Sequence, residues 1–86
     1  MPLTLSVDVV VTEVEDGMIL LDQRKGRYWH LNATGALTVR LLRAGNSPDQ
    51  IAAALAAKFP DTVDNPLRDV ESLLETLQKA RLTVTA

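Results

Sequence analysis

The chain predicts a small α+β domain, three antiparallel strands followed by three helices, and three observations carry that expectation. Apolar residues alternate through the first dozen positions. An Asp-Gly pair and a glycine-ended polar stretch cut the first third into strand-length pieces. In the second half, Ser47-Pro48 and Asn65-Pro66 each place a capping residue before a proline, as helix starts do. At 86 residues the chain is a single domain, 1–86, because a second core would leave each half too short to fold.

Leu3, Leu5, Val7, Val9 and Val11 alternate with Thr4, Ser6, Asp8 and other residues, a period of two that sends one strand face to a core. Glu15, Asp16 and Gly17 are read as a turn, since Asp-Gly tolerates the positive φ of a tight hairpin. Met18, Ile19, Leu20 and Leu21 follow without alternation, which predicts a central strand covered on both faces. Asp22 to Gly26 is a polar connection, and residues 27–31 form a third strand at the sheet edge. Asn32 and Thr34 are each placed to cap a first helix running to about Arg43, with Gly45 stopping it. Ser47 and Gln50 then form a capping box, and Ile51, Leu55 and Phe59 recur every four residues through an alanine-rich helix. The last helix runs from Pro66 to about Ala80, and residues 82–85 are read as a short terminal strand. Helices against one face of such a sheet make the domain winged helix-turn-helix-like.

Composition argues against several function classes. Nine Lys and Arg against eleven Asp and Glu leave a net charge of −2, which gives no electrostatic reason to bind nucleic acid or an anionic membrane. With no cysteine and one histidine, thiolate nucleophiles and multi-histidine or cysteine metal sites are absent. The expectation is therefore no catalytic residue, no metal and no cofactor. No apolar run approaches the roughly 20 residues that cross a bilayer, and the start of the chain lacks a secretory signal, so a cytoplasmic location is expected.

Two features carry function. Tyr28 and Trp29 are two of only three aromatic residues and are neighbours on the third strand, so they point to opposite faces, Trp29 with Leu31 and Tyr28 with His30. Trp29 is either simply core, with Tyr28 half-exposed, or part of a docking rail. The rail has a physical basis, because the edge has no proline or lysine to blunt it and Arg27 is its only charge. In the last helix, Leu67, Val70, Leu73, Leu74, Leu77 and Ala80 spread over roughly 140°, wider than the ~100° a single packing surface needs. The surplus either fills a concave junction or lines a groove beside the strand edge, with Val70, Leu73, Leu74 and Leu77 as candidate lining residues. His30 has neither a cysteine nor a nearby serine relay, and the carboxylates are scattered singly.

The stretch Gly26-Arg27-Tyr28-Trp29-His30-Leu31-Asn32-Ala33-Thr34-Gly35 resembles the signature of the PqqD-like family, in which Gly-x-aromatic-x-x-Leu-Asn-x-Thr joins the third strand to the first helix. Asp16-Gly17, Leu20-Leu21-Asp22, Leu41-Leu42 and Asp69-Val70 fall where that family would place them. The resemblance implies a recognition element for ribosomally made, post-translationally modified peptides, most similar to the free-standing recognition proteins of lasso peptide biosynthesis. It implies the leader of a precursor peptide as partner, pairing with the third strand and lying against the third helix. It also implies a separate transglutaminase-like leader peptidase, and a cyclase acting afterwards. Arg27, Tyr28, Trp29, His30, Leu31, Asp69, Val70, Leu73, Leu74 and Leu77 are the expected peptide-binding residues. Competing readings are a DNA-binding winged helix, disfavoured because the middle helix offers only Lys58, and a dimerisation or adaptor domain using the same edge.

Overall fold

The apolar alternation that opens the chain divides into two strands in the structure, a computed structural model that describes residues 3–85. β1 (Leu3–Leu5) and β2 (Val9–Val14) are separated by a turn. There the Ser6 hydroxyl accepts from the Asp8 N–H at 3.3 Å and the Ser6 carbonyl accepts from the Val9 N–H at 3.1 Å. Val7, expected in the core, stands at the tip of this turn and is 97% exposed. β1 leaves the main sheet altogether and pairs antiparallel with β5 (Thr83–Thr85), Leu3 opposite Thr85 and Leu5 opposite Thr83. The terminal strand expected at residues 82–85 is thus present, with β1 as its partner.

The main sheet has the order β2-β3-β4, all antiparallel, with β3 (Gly17–Asp22) in the centre and β4 (Arg27–Asn32) at an edge. The rows Val11–Leu20–Trp29 and Glu13–Met18–Leu31 share one face, and Val10–Leu21–Tyr28 and Thr12–Ile19–His30 share the other. α1 packs against β3 and β4 on the first face, where Met18 and Leu20 are fully buried. On the second face Ile19 and Leu21 remain half-buried while Val10 and Tyr28 are exposed. The expectation of a central strand covered on both faces is corrected accordingly: the unbroken apolar run of β3 is partly shielded on its second face by its own strand neighbours.

The β2–β3 hairpin closes through Glu15 and Asp16, Val14 lying opposite Gly17. Among the described residues positive φ occurs only at Gly26, Gly45 and Arg81, so Gly17 does not serve as the left-handed turn residue the Asp-Gly pair predicted. It is the first residue of β3, and a Cβ there would run into the Leu31 carbonyl oxygen. Its role is close approach of two backbones.

α1 (Ala33–Arg43) is capped by Asn32, whose Oδ1 accepts from the Gly35 N–H at 3.0 Å, which decides between the two caps the sequence offered. α2 (Pro48–Lys58) begins with the expected capping box between Ser47 and Gln50. α3 (Pro66–Lys79) begins with Asn65 accepting from the Arg68 N–H at 3.1 Å. It ends with Arg81 at φ 61°, the Leu82 N–H reaching back to the Leu77 carbonyl at 2.9 Å. This is the Schellman arrangement that glycine usually serves.

Two apolar clusters form the interior. Leu5, Met18, Leu20, Ala36, Val39, Leu77 and Leu82 lie beneath the sheet. Leu42, Ile51, Ala52, Leu55, Val70 and Leu74 lie among the three helices. α3 contributes to both, so its position is set from two sides.

Candidate functional site

β4 has β3 on one side and, among the described residues, no strand on the other. Every second residue of such an edge turns its N–H and C=O outward, so six residues leave about three unpaired donor–acceptor sets. No loop separates β4 from α1: Asn32 is both the last residue of the strand and the cap of the helix. The strand is held in place by the Gly17–Leu31 approach on one side and by the helix start at its end.

A cleft of about 540 Å³ opens between the end of β4 and α3. His30, Leu31 and Asn32 form its strand wall, and Asp69, Ser72, Leu73 and Thr76 form its helix wall. Thr34, Gly35 and Thr38 of α1 and Leu55 of α2 complete it. The volume is within the range of ligand sites and exceeds what a single side chain occupies. Leu31, Leu55 and Leu73 supply apolar surface, and the three threonine hydroxyls carry a common polarity. The Thr34 hydroxyl donates to Asn32 Oδ1 at 3.0 Å, the Thr38 hydroxyl to the Thr34 carbonyl at 2.9 Å and the Thr76 hydroxyl to the Ser72 carbonyl at 3.0 Å. With those protons committed, the three oxygens have only acceptor lone pairs left to offer.

The residues expected to bind divide into two groups. Tyr28 is 72% exposed and His30 is also exposed, both on the open sheet face, whereas Trp29 and Leu31 are half-buried against the sheet-side core. The Arg27 guanidinium lies 5.5 Å from the centre of the Trp29 ring, on the same strand face. On α3, Asp69 and Leu73 reach the cleft, while Val70 and Leu77 are 1% exposed and Leu74 6%, all committed to the cores. Of the four candidate apolar lining residues, the cleft therefore retains Leu73. Val70 and Leu77 occupy the centre of the helix stripe and Leu74 its opposite shoulder, turned into the helical core, and a helix resting on two cores has no freedom to turn them outward. Ser72, Thr76, Thr34, Thr38, Gly35, Asn32 and Leu55 were missed as cleft residues. A signal existed in Asp69-Ser72-Leu73-Thr76, spaced three and four apart along one shoulder of the stripe.

Among the described residues no group of three or more His, Asp or Glu is placed to hold a metal ion.

The fold has close counterparts among solved structures. One is lasso peptide synthetase B1 complexed with the leader peptide, 32% identical, with a TM-score of 0.85 over 99% of this chain and 100% of that one. Another is TbiB1 in complex with the TbiA(beta) leader peptide, 30% identical, with a TM-score of 0.82 over 96% of each chain. No curated protein sequence matches the chain. The family described as coenzyme PQQ synthesis protein D (PqqD) matches residues 17–82, from the first residue of β3 to the buried leucine after α3, and with it every element that shapes the cleft. The chain belongs to the PqqD family.

Proposed function

We propose that this protein is a non-catalytic leader-binding component of lasso peptide biosynthesis. A segment of a precursor's leader adds as a strand antiparallel to β4 and lays alternate side chains into the cleft against α3. In that position it is handed to a separate transglutaminase-like leader peptidase, with a cyclase acting afterwards, in the cytoplasm. No described helix is long and apolar enough to cross a membrane. The observation that carries this reading is the unpaired edge of β4 beside an open cleft, in a fold shared over nearly its whole length with two structures holding leader peptides. Arg27, Tyr28, Trp29, His30 and Leu31 supply the rail, Asp69 and Leu73 its helical wall, and Val70, Leu74 and Leu77 keep that wall in position.

Backbone pairing alone does not hold such a segment. Each strand hydrogen bond contributes about 0.5–1.5 kcal/mol net, and ordering a free segment costs roughly 2–5 kcal/mol. Two or three buried anchors at about 1.5–3 kcal/mol each bring the total toward −8 kcal/mol, a micromolar dissociation constant. Selectivity consequently lies in the cleft.

The test is hydrogen exchange on the protein with and without the leader of its cognate precursor peptide, paired with a fluorescence-anisotropy titration. Micromolar binding with slowed exchange in residues 27–32 and unchanged exchange in β2 is expected. Protection of β2 in place of β4, or no binding at all, would overturn the proposal.

A further inference from the structure

We propose that the order of charges along β4 fixes the direction and register in which a leader segment docks, an inference that rests on the leader-binding reading above. The end of the cleft at Asn32 takes a lysine or arginine side chain, and the end of the strand at Arg27 takes a carboxylate.

The two ends lie about 17 Å apart, at roughly 3.3 Å per residue of strand, and carry opposite charge. Near Asn32, the β2–β3 turn presents Glu15 and Asp16, since Gly17 is the partner of Asn32 in the sheet. Asp69 stands in the cleft wall at the same end and has no ion-pair partner among the described residues. Arg68, its neighbour in sequence, is exposed and forms no part of the cleft. The Thr34, Thr38 and Thr76 oxygens that line the same cleft add acceptors and no free protons. A side chain rich in N–H donors satisfies those acceptors, whereas an acidic one faces the like charge of Glu15, Asp16 and Asp69.

At the other end the charge is positive. Lys25 lies in the β3–β4 loop and Arg27 opens β4. Arg24 meets the two carboxylates there, at 3.5 Å from Asp8 and 3.9 Å from Asp22. Arg27 lies over the Trp29 ring and has no carboxylate partner among the described residues. A strand antiparallel to β4 enters at the Asn32 end with its N-terminal side and leaves at Arg27. The fitting segment therefore has a basic residue first and an acidic one about four to six positions later. A segment with the opposite order, or one running parallel, brings like charges together at both ends.

The test uses the fluorescein-labelled leader of the cognate precursor peptide, in two synthetic forms. One has lysine before and glutamate after the docking stretch, and the other has the two exchanged. Exposed pairs of this kind are each expected to change affinity about 2- to 5-fold, so the lysine-first form binds roughly 10-fold tighter at low salt. The difference shrinks toward unity at 0.5 M salt, where screening acts within about 4 Å. The Arg27→Glu/Asp69→Lys double variant inverts the preference, and Asp69→Asn and Arg27→Gln, with their thermal melts checked, each reduce it. Equal binding of both forms, or the same preference in wild type and charge-altered variants, overturns the charge-order inference and leaves leader binding standing. Failure of both forms to bind the wild type removes the leader reading itself.

Discussion

At Gly17 a methyl group has nowhere to go, because the Leu31 carbonyl oxygen occupies the place a Cβ would take, and moving it would drag the end of β4 and the cap of α1. Gly17→Ala is expected to lower stability by about 2–4 kcal/mol in urea unfolding, and an unchanged midpoint would show that the strand yields easily. Arg81 is the opposite case, a side chain where a glycine would rest more comfortably. Arg81→Gly is expected to raise stability by about 0.5–1 kcal/mol, since the left-handed penalty outweighs the added freedom of the unfolded chain. The hydrogen bond from the Arg24 guanidinium to the Arg81 carbonyl, 2.8 Å, survives the change because at position 81 it uses only backbone. The Asp-Gly pair marks the turn where the sequence places it, but the reason for Gly17 is not a positive φ, and it could not be read locally because the carbonyl that forbids a side chain there belongs to a residue fourteen positions away.

α3 divides around its circumference: Val70, Leu74 and Leu77 are buried in the two cores, and Asp69, Ser72, Leu73 and Thr76 line the cleft. Leu74→Ala opens a cavity in the helical core and is expected to lower stability by about 2–4 kcal/mol. Leu73→Ser removes the apolar part of the cleft's helix wall and is expected to weaken leader binding about 5- to 10-fold with the fold retained, as read by anisotropy and a thermal melt. Equal loss of affinity and stability in both variants would show that the two leucines share one role. Periodicity alone brought Leu73 and Leu74 to the same stripe; which shoulder meets the cleft depends on where the two cores grip the helix. The polar wall was still harder to read, because Ser72 and Thr76 at helical spacing look like any solvated face. Nor did local pattern show that β1 would desert its own alternation for β5, at the far end of the chain.

Across the whole molecule the order of elements, the helix starts at Asn32, Ser47 and Asn65 and the edge position of β4 were legible, since each rests on residues within a few positions of one another. What joins them was not. Arg40 grips Glu13 through Nε and Nη2 at 2.9–3.2 Å, tying α1 to β2. The hydrogen bonds from Arg40 hold the Glu13 carboxyl below its ordinary value, and those from Lys79 do the same for Glu75. A carboxyl held low in the folded state stabilises it above the ordinary value near 4.5, and that contribution is lost as pH falls through the lowered one. The denaturation midpoint is therefore expected to fall between pH 5 and pH 3, with a smaller fall in Arg40→Met; identical falls would mean the pair is inert.

The absence of any joint between β4 and α1 has a mechanical result. Asn32 ends the one and caps the other, so a ligand pulling on the strand pulls on a helix axis already seated in the interior. Such an arrangement has no play to take up: it behaves as a jig, whose workpiece must bend to the tool.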